Sequence, residues 1–264
     1  MKRTILVLLT GFTGLITRAQ DSLQTSISTD LSTDSLPSAR LAPAERHGLK
    51  ATSILIPATL IGYGVWSLHN GQLESFNRQV KEEIYMEREH KKPMKIDDYL
   101  QWSPAVAVYA LNAMGVKGAH NFKDRTIIYG ISMAIMSGTV FASKHLTKQW
   151  RPDLSNNQSF PSGHTANAFA GAEFLRREYK DVSIWYGVAG YAAAGLTGYL
   201  RMYNNRHWLS DVVAGAGVGI LSTDLAYWIY PTVKKIFTKH PDHPTVVAPF
   251  YSQGAVGLSL VKTF

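Results

Sequence analysis

Three short clusters set cations, histidines and one carboxylate at the edges of apolar runs. They are Lys144 with Arg151-Pro152, Pro161-Ser162-Gly163-His164, and Arg201 with His207 and Asp211. Each has an ordinary explanation taken alone. A lysine closing an apolar run is favoured by the helix dipole, an arginine before a proline marks a helix end, and Phe-Pro-Ser-Gly-His is a turn followed by a helix start. The same turn, however, points the backbone N–H groups of Ser162, Gly163 and His164 outward at the positive end of a helix. That makes an anion site, and Gly163 removes the Cβ that would block close approach. His207 and Asp211 are four residues apart and share one helix face. There the carboxylate accepts from one imidazole nitrogen and leaves the other bare to attack or to take a proton. Joined, the clusters supply three cations, an amide nest, two histidines and one orienting carboxylate. This inventory suits phosphoryl transfer, where catalysis is mostly positioning and electrostatics around three charged oxygens.

Apolar helices must position these groups. Long uncharged runs cover Ala51–Leu68, Trp102–Val116, Thr126–Ser143, Ser183–Leu200 and Val212–Thr223, the last continuing to Tyr230, and a sixth helix starts near Ser162. The expected fold is all-α, a six-helix bundle over residues 51–235. Three runs reach 18 residues, the threshold for a membrane span. The small-residue series Gly190, Ala194, Gly198 and the pair Gly215, Gly219 let helices approach closely. A membrane-embedded bundle is therefore expected over a buried soluble one. Between the first two runs, Leu73, Phe76, Val80 and Ile84 recur at helical spacing in a charge-dense stretch, which reads as a solvated amphipathic helix without catalytic residues.

Among 264 residues there is no cysteine, which excludes disulfides, thiol nucleophiles and zinc-thiolate sites. The charge of +8 suits nucleic acid, anionic lipid or a phosphorylated substrate equally. Residues 1–19 have the cations, apolar stretch and small residues of a secretory signal peptide. Removing them takes away Lys2, Arg3 and Arg18 and no acid, leaving 24 cations against 19 acids, so nucleic-acid binding has only a modest surplus behind it and is set aside. An uncleaved anchor is the other reading of this segment. Residues 20–50 read as a flexible Ser/Thr/Pro-rich leader. In the tail, 236–264, the alternation at Val256, Leu258 and Leu260 reads as a short strand or loose end, and also fits the C-terminal pattern of outer-membrane proteins.

With Lys144, six residues, Arg151-Pro152, then Pro161-Ser162-Gly163-His164, then Arg201, five residues, His207, three residues and Asp211, the chain resembles the type 2 phosphatidic acid phosphatases. That family shares its helical core with class A acid phosphatases and vanadium haloperoxidases. The resemblance runs from about Ala51 to Tyr230. It implies a phosphatase without metal or cofactor, acting on a phosphorylated lipid or small phosphate ester. His207 would be the nucleophile, Asp211 its orienter and His164 the general acid. Lys144, Arg151, Arg201, the Ser162 hydroxyl and the Gly163 amide would hold the phosphoryl oxygens. Two departures stand out: Leu200 occupies the place of a small hydroxyl residue, which puts one supporting hydrogen bond in doubt, and the joint from Pro152 to Pro161 is short. A soluble periplasmic acid phosphatase and a vanadium-dependent haloperoxidase are the alternative activities. A cleaved signal followed by six spans would turn the clusters inward, whereas exported substrates favour a site facing outward.

Overall fold

The computed structural model describes residues 51–87 and 92–237, together with the backbone of 245–252 and 255–262; the signal peptide and leader readings lie outside the described residues. The apolar runs become helices, here numbered α1 (Ala51–Ser67), α4 (Ser103–Ala113), α5 (Phe122–Thr147), α6 (Gly163–Tyr179), α7 (Ile184–Tyr203) and α8 (Leu209–Phe237). Two more lie in the charged connection: α2 (Gly71–Lys81), continued by a π-helical turn over Glu82–Met86, and the single turn α3 (Asp97–Leu100). The expected bundle is thus present with eight described α-helices rather than six. The addition of α2 follows the amphipathic spacing already noted, while α3 is too short for periodicity to reveal. Side-chain caps fix several starts. Asn121 accepts from the Asp124 amide at 2.8 Å, Ser183 from the Trp185 amide at 3.3 Å, and Ser162 from the Thr165 amide at 3.4 Å. Helix α5 ends at Thr147, with Lys148 in the left-handed conformation as its cap, so the helix stops before Arg151-Pro152 is reached.

At the centre stands α6, packed chiefly against α7 and α8. Backbones meet there because small residues line the seams. A Cβ on Gly219 would lie 2.2 Å from the Ala166 carbonyl oxygen, and one on Gly215 2.6 Å from that of Ser162, so both positions require glycine for contact alone. The series Gly190, Ala194, Gly198 plays the same part on α7, where Gly190 faces Ala172 and Leu175 and Gly198 faces Thr165 and Val212. Although central, α6 carries two buried acids, which are held by neighbours rather than left bare. Glu173 accepts from Arg176 Nε at 2.7 Å, Arg177 Nε at 2.9 Å and Tyr191 at 2.6 Å, and Glu178 accepts from Tyr227 at 2.7 Å. These networks lie toward the end of α6 opposite Ser162 and His164, roughly 13–24 Å away along the helix axis.

Among the described residues two helices are long and apolar enough to cross a membrane, Phe122–Thr147 and Leu209–Lys235; the pair α1–α2 would make a third only across a 96° bend. Of the three runs that reach 18 residues in the sequence, Thr126–Ser143 lies in such a helix, whereas α1 stops at 17 residues and α7, though 20 residues long, falls short on composition with its glycines and tyrosines; the second such helix is α8. Only 22% of the apolar window in α5 is buried, against 56% in α8. Phe122, Phe141 and Leu146 on α5 point outward, as do Leu55 and Trp66 on α1 and Ile184 and Trp185 on α7. Such a collar of apolar side chains has no place against water. In the tail, β1 (Thr245–Ser252) pairs antiparallel with β2 (Ala255–Lys262), Thr245 opposite Lys262 and Ser252 opposite Ala255. The strand reading of the tail is thus met by an open two-stranded hairpin.

Candidate active site

All three clusters meet at one end of the bundle. Lys144 occupies the last turn of α5, Arg151 the following loop, Ser162 to His164 the start of α6, Arg201 the last turn of α7, and His207 and Asp211 the entry to α8. The electrostatics record this proximity: the charges of Asp211, Arg201 and Lys144 all reach the His207 ring, and those of Arg201 and Asp211 reach Arg151. His207 is 3% exposed, and burial pushes its imidazole down to about 4, against the opposing pull of Asp211. At neutral pH the ring is uncharged and has a free lone pair.

Asp211 is fully buried and faces His207, with 3.4 Å between Oδ2 and Nδ1. The same oxygen accepts from the Ser159 hydroxyl at 2.5 Å and from the Trp208 amide at 2.9 Å. With Nδ1 turned to this cluster, Nε2 is the nitrogen left to react. Ser159 Oγ also lies 3.5 Å from Nδ1. This serine was not singled out from the sequence; its place directly before Phe160-Pro161 in the short joint is what could have marked it. The joint therefore supplies a buried hydroxyl to the carboxylate, and Lys144 Nζ in turn donates to the Gln158 carbonyl at 2.5 Å.

Of the three amides expected to form a nest, that of Ser162 donates to the Asp211 carbonyl at 3.0 Å and is not available to a ligand. The correction has a simple cause, since this bond ties the start of α6 to α8. The amides of Gly163 and His164 remain in the first turn, where no intrahelical acceptor exists. The Ser162 hydroxyl accepts from Thr165 Oγ1 at 2.9 Å and keeps its own proton to give. A Cβ on Gly163 would make ordinary contact with Val140 at 3.7 Å, so packing does not demand glycine here. Leu200, the departure from the family pattern, is buried at 4% exposure.

The charged stretch before α4 proves closer to the chemistry than its sequence suggests. Asp97, 1% exposed, accepts from Arg201 NH1 at 2.7 Å, and Asp98 lies 3.0 Å from Nε2 of His164. Lys81 donates to the Pro152 carbonyl at 2.8 Å. Beside the site, a cavity of about 510 Å³ is bordered by Asn77, Lys81, Gln149, Trp208 and Ser210. Among the described residues no group of three His, Cys, Asp or Glu side chains could hold a metal ion.

Residues 125–235 match the model of the PAP2 superfamily. That stretch belongs to the PAP2 superfamily. The PAP2 segment contains every clustered residue from Lys144 to Asp211. Two curated relatives are similar to this chain. A lipid A 1-phosphatase of Porphyromonas gingivalis is 45% identical over 136 residues, 51% of this chain and 31% of its own length. A phosphatidylglycerophosphatase B of Bacillus subtilis is 31% identical over 130 residues, 43% of this chain and 64% of its own. This chain thus spans less than two thirds of either relative. Among solved structures, a transmembrane PAP2 type phosphatidylglycerolphosphate phosphatase from Bacillus subtilis matches with a TM-score of 0.46 and 22% identity, over 68% of this chain and 98% of that one.

Proposed function

We propose that this chain is a metal-independent PAP2-type phosphatase that hydrolyses a phosphate ester or diphosphate of a lipid through a phosphohistidine. One observation carries the reading: Nε of Arg151 and Nε of Arg201 are buried and find no acceptor among the described residues, beside a neutral His207. A buried donor left unsatisfied costs about 1–3 kcal/mol, which a phosphoryl group would relieve. In this reading His207 Nε2 attacks phosphorus while Asp211 holds the ring by Nδ1. Lys144, Arg151, Arg201, the Ser162 hydroxyl and the Gly163 amide take the phosphoryl oxygens. The P–O bond breaks as the P–N bond forms, and His164 gives its proton to the departing oxygen. It then takes a proton from the water that releases phosphate from His207.

The lipid is argued from the exposed apolar face of α5, whose last turn carries Lys144 to the site. A lipid A type phosphate is the first substrate to test, because the relative of that activity is 45% identical over 136 residues. The purified protein in detergent should be assayed for phosphate release from lipid A, phosphatidic acid, an isoprenyl diphosphate and a soluble aryl phosphate. At least one lipid should exceed the aryl ester in kcat/KM by about tenfold or more. EDTA should change the rate by less than about twofold, as fits an electrostatic cage of side chains. An aryl ester preferred over every lipid would overturn the reading in favour of a broad-specificity acid phosphatase.

The site faces outward, toward the periplasm, in this proposal. Since α6, α7 and α8 traverse the bundle in alternate directions, a reporter inserted at Leu154 and one fused after Phe237 should report opposite sides, the first outside. Both on one side, or Leu154 inside, would reject that orientation.

A further inference from the structure

We infer that Asp98 is a positioning residue for proton transfer: its carboxylate orients His164 so that the proton for the leaving oxygen is carried on Nδ1. The inference rests on His164 being the general acid of the proposed reaction. It begins from α3, a single turn that carries two adjacent carboxylates to the mouth of a cluster otherwise dominated by cations. The two do different things. Asp97 is buried against Arg201 at 2.7 Å, which fixes where the turn sits. Asp98 stays half exposed, with its Oδ1 3.0 Å from His164 Nε2 and 3.9 Å from Arg201 NH1.

A histidine that must start protonated is poorly served by its own surroundings here. Burial and the Arg201 charge depress its proton affinity, while Asp98 and Asp97 oppose them. The charged groups that reach the ring are therefore Arg201 from α7 and the two carboxylates from α3. When both ring nitrogens carry hydrogen, Nε2–H is committed to Asp98, and Nδ1–H alone remains to be given away. As the phosphorus–oxygen bond breaks, that proton passes to the alkoxide oxygen and the ring becomes neutral, still held through Nε2–H.

The experiment compares kcat/KM for an alkyl phosphate, whose alkoxide must be protonated to leave, with that for p-nitrophenyl phosphate, whose phenolate leaves unaided. Asp98→Asn should lower the alkyl value about tenfold and the aryl value by less than about twofold, as expected when proton transfer alone is impaired. Asp98→Glu should restore most of the alkyl activity. His164→Ala serves as reference and should show the same selectivity more strongly. Equal losses on the two esters, or no loss, in Asp98→Asn while His164→Ala remains selective would overturn the role of Asp98 and leave the general acid standing. A His164→Ala variant that loses both esters equally would instead remove the general-acid reading beneath it. Because Asp98 is 52% exposed at its side chain, a folded variant is expected, and a melting temperature close to that of the parent protein verifies it.

Discussion

His207→Ala abolishes turnover, with a fall in kcat of at least about 10³-fold, while the bundle still folds. The size follows from the absence of a substitute within the cluster. Ser159 gives its hydroxyl to Asp211 at 2.5 Å, Ser162 is engaged with Thr165 at 2.9 Å, and the other imidazole, His164, turns Nε2 toward Asp98 at 3.0 Å. None of these can take the place of a neutral ring that the charges of Lys144 and Arg201 reach and whose Nε2 is left to react. A thousandfold loss is about 4 kcal/mol of transition-state stabilisation, which is modest for a covalent nucleophile. His207→Gln keeps more of the buried volume and should be equally inactive, which separates chemistry from packing. Phosphate release, together with rapid-quench trapping of an acid-labile phosphoenzyme in the parent protein alone, checks the result. A folded variant retaining more than about a tenth of the parent kcat would show that another group attacks phosphorus.

Long elements and their seams were legible before the fold because their signals repeat. Uncharged runs of 15 residues or more leave little choice but a buried or lipid-facing helix, and Gly190, Gly198, Gly215 and Gly219 declare close contact because nothing else explains their spacing. The clustered residues were legible for a different reason: each has an ordinary local explanation alone, and only their joint presence at the borders of apolar helices asks for a ligand. Asp97, Asp98 and Ser159 escaped the same logic. Two aspartates in a stretch already dense with both charge signs look solvated, and only the turn at α3 brings them against Arg201 and His164. A serine before Phe-Pro reads as turn chemistry until the chain folds it onto Asp211. Pairing across about a hundred residues is set by tertiary packing, to which local periodicity is blind.

Asp211→Asn is the second large effect, and it separates orientation from binding. Oδ2 of Asp211 gathers the Ser159 hydroxyl, the Trp208 amide and Nδ1 of His207. An asparagine oxygen can still accept from the first two, so the local fold has a way to persist. What it cannot supply is negative charge beside an imidazole that becomes cationic once phosphorylated on Nε2 with Nδ1–H retained. Loss of the orienting carboxylate in a comparable arrangement costs up to about 10⁴-fold in kcat, and a fall of about 10²–10⁴-fold is expected here. Ground-state anion binding should move the other way. Lys144, Arg151 and Arg201 would face the phosphoryl group with one compensating charge fewer, so inhibition by vanadate or phosphate should be unchanged or tighter in the variant. A collapsed or unfolded site would lose both kcat and anion affinity. Substantial kcat with weakened anion binding would place Asp211 in the scaffold of the cation cage instead of behind the nucleophile.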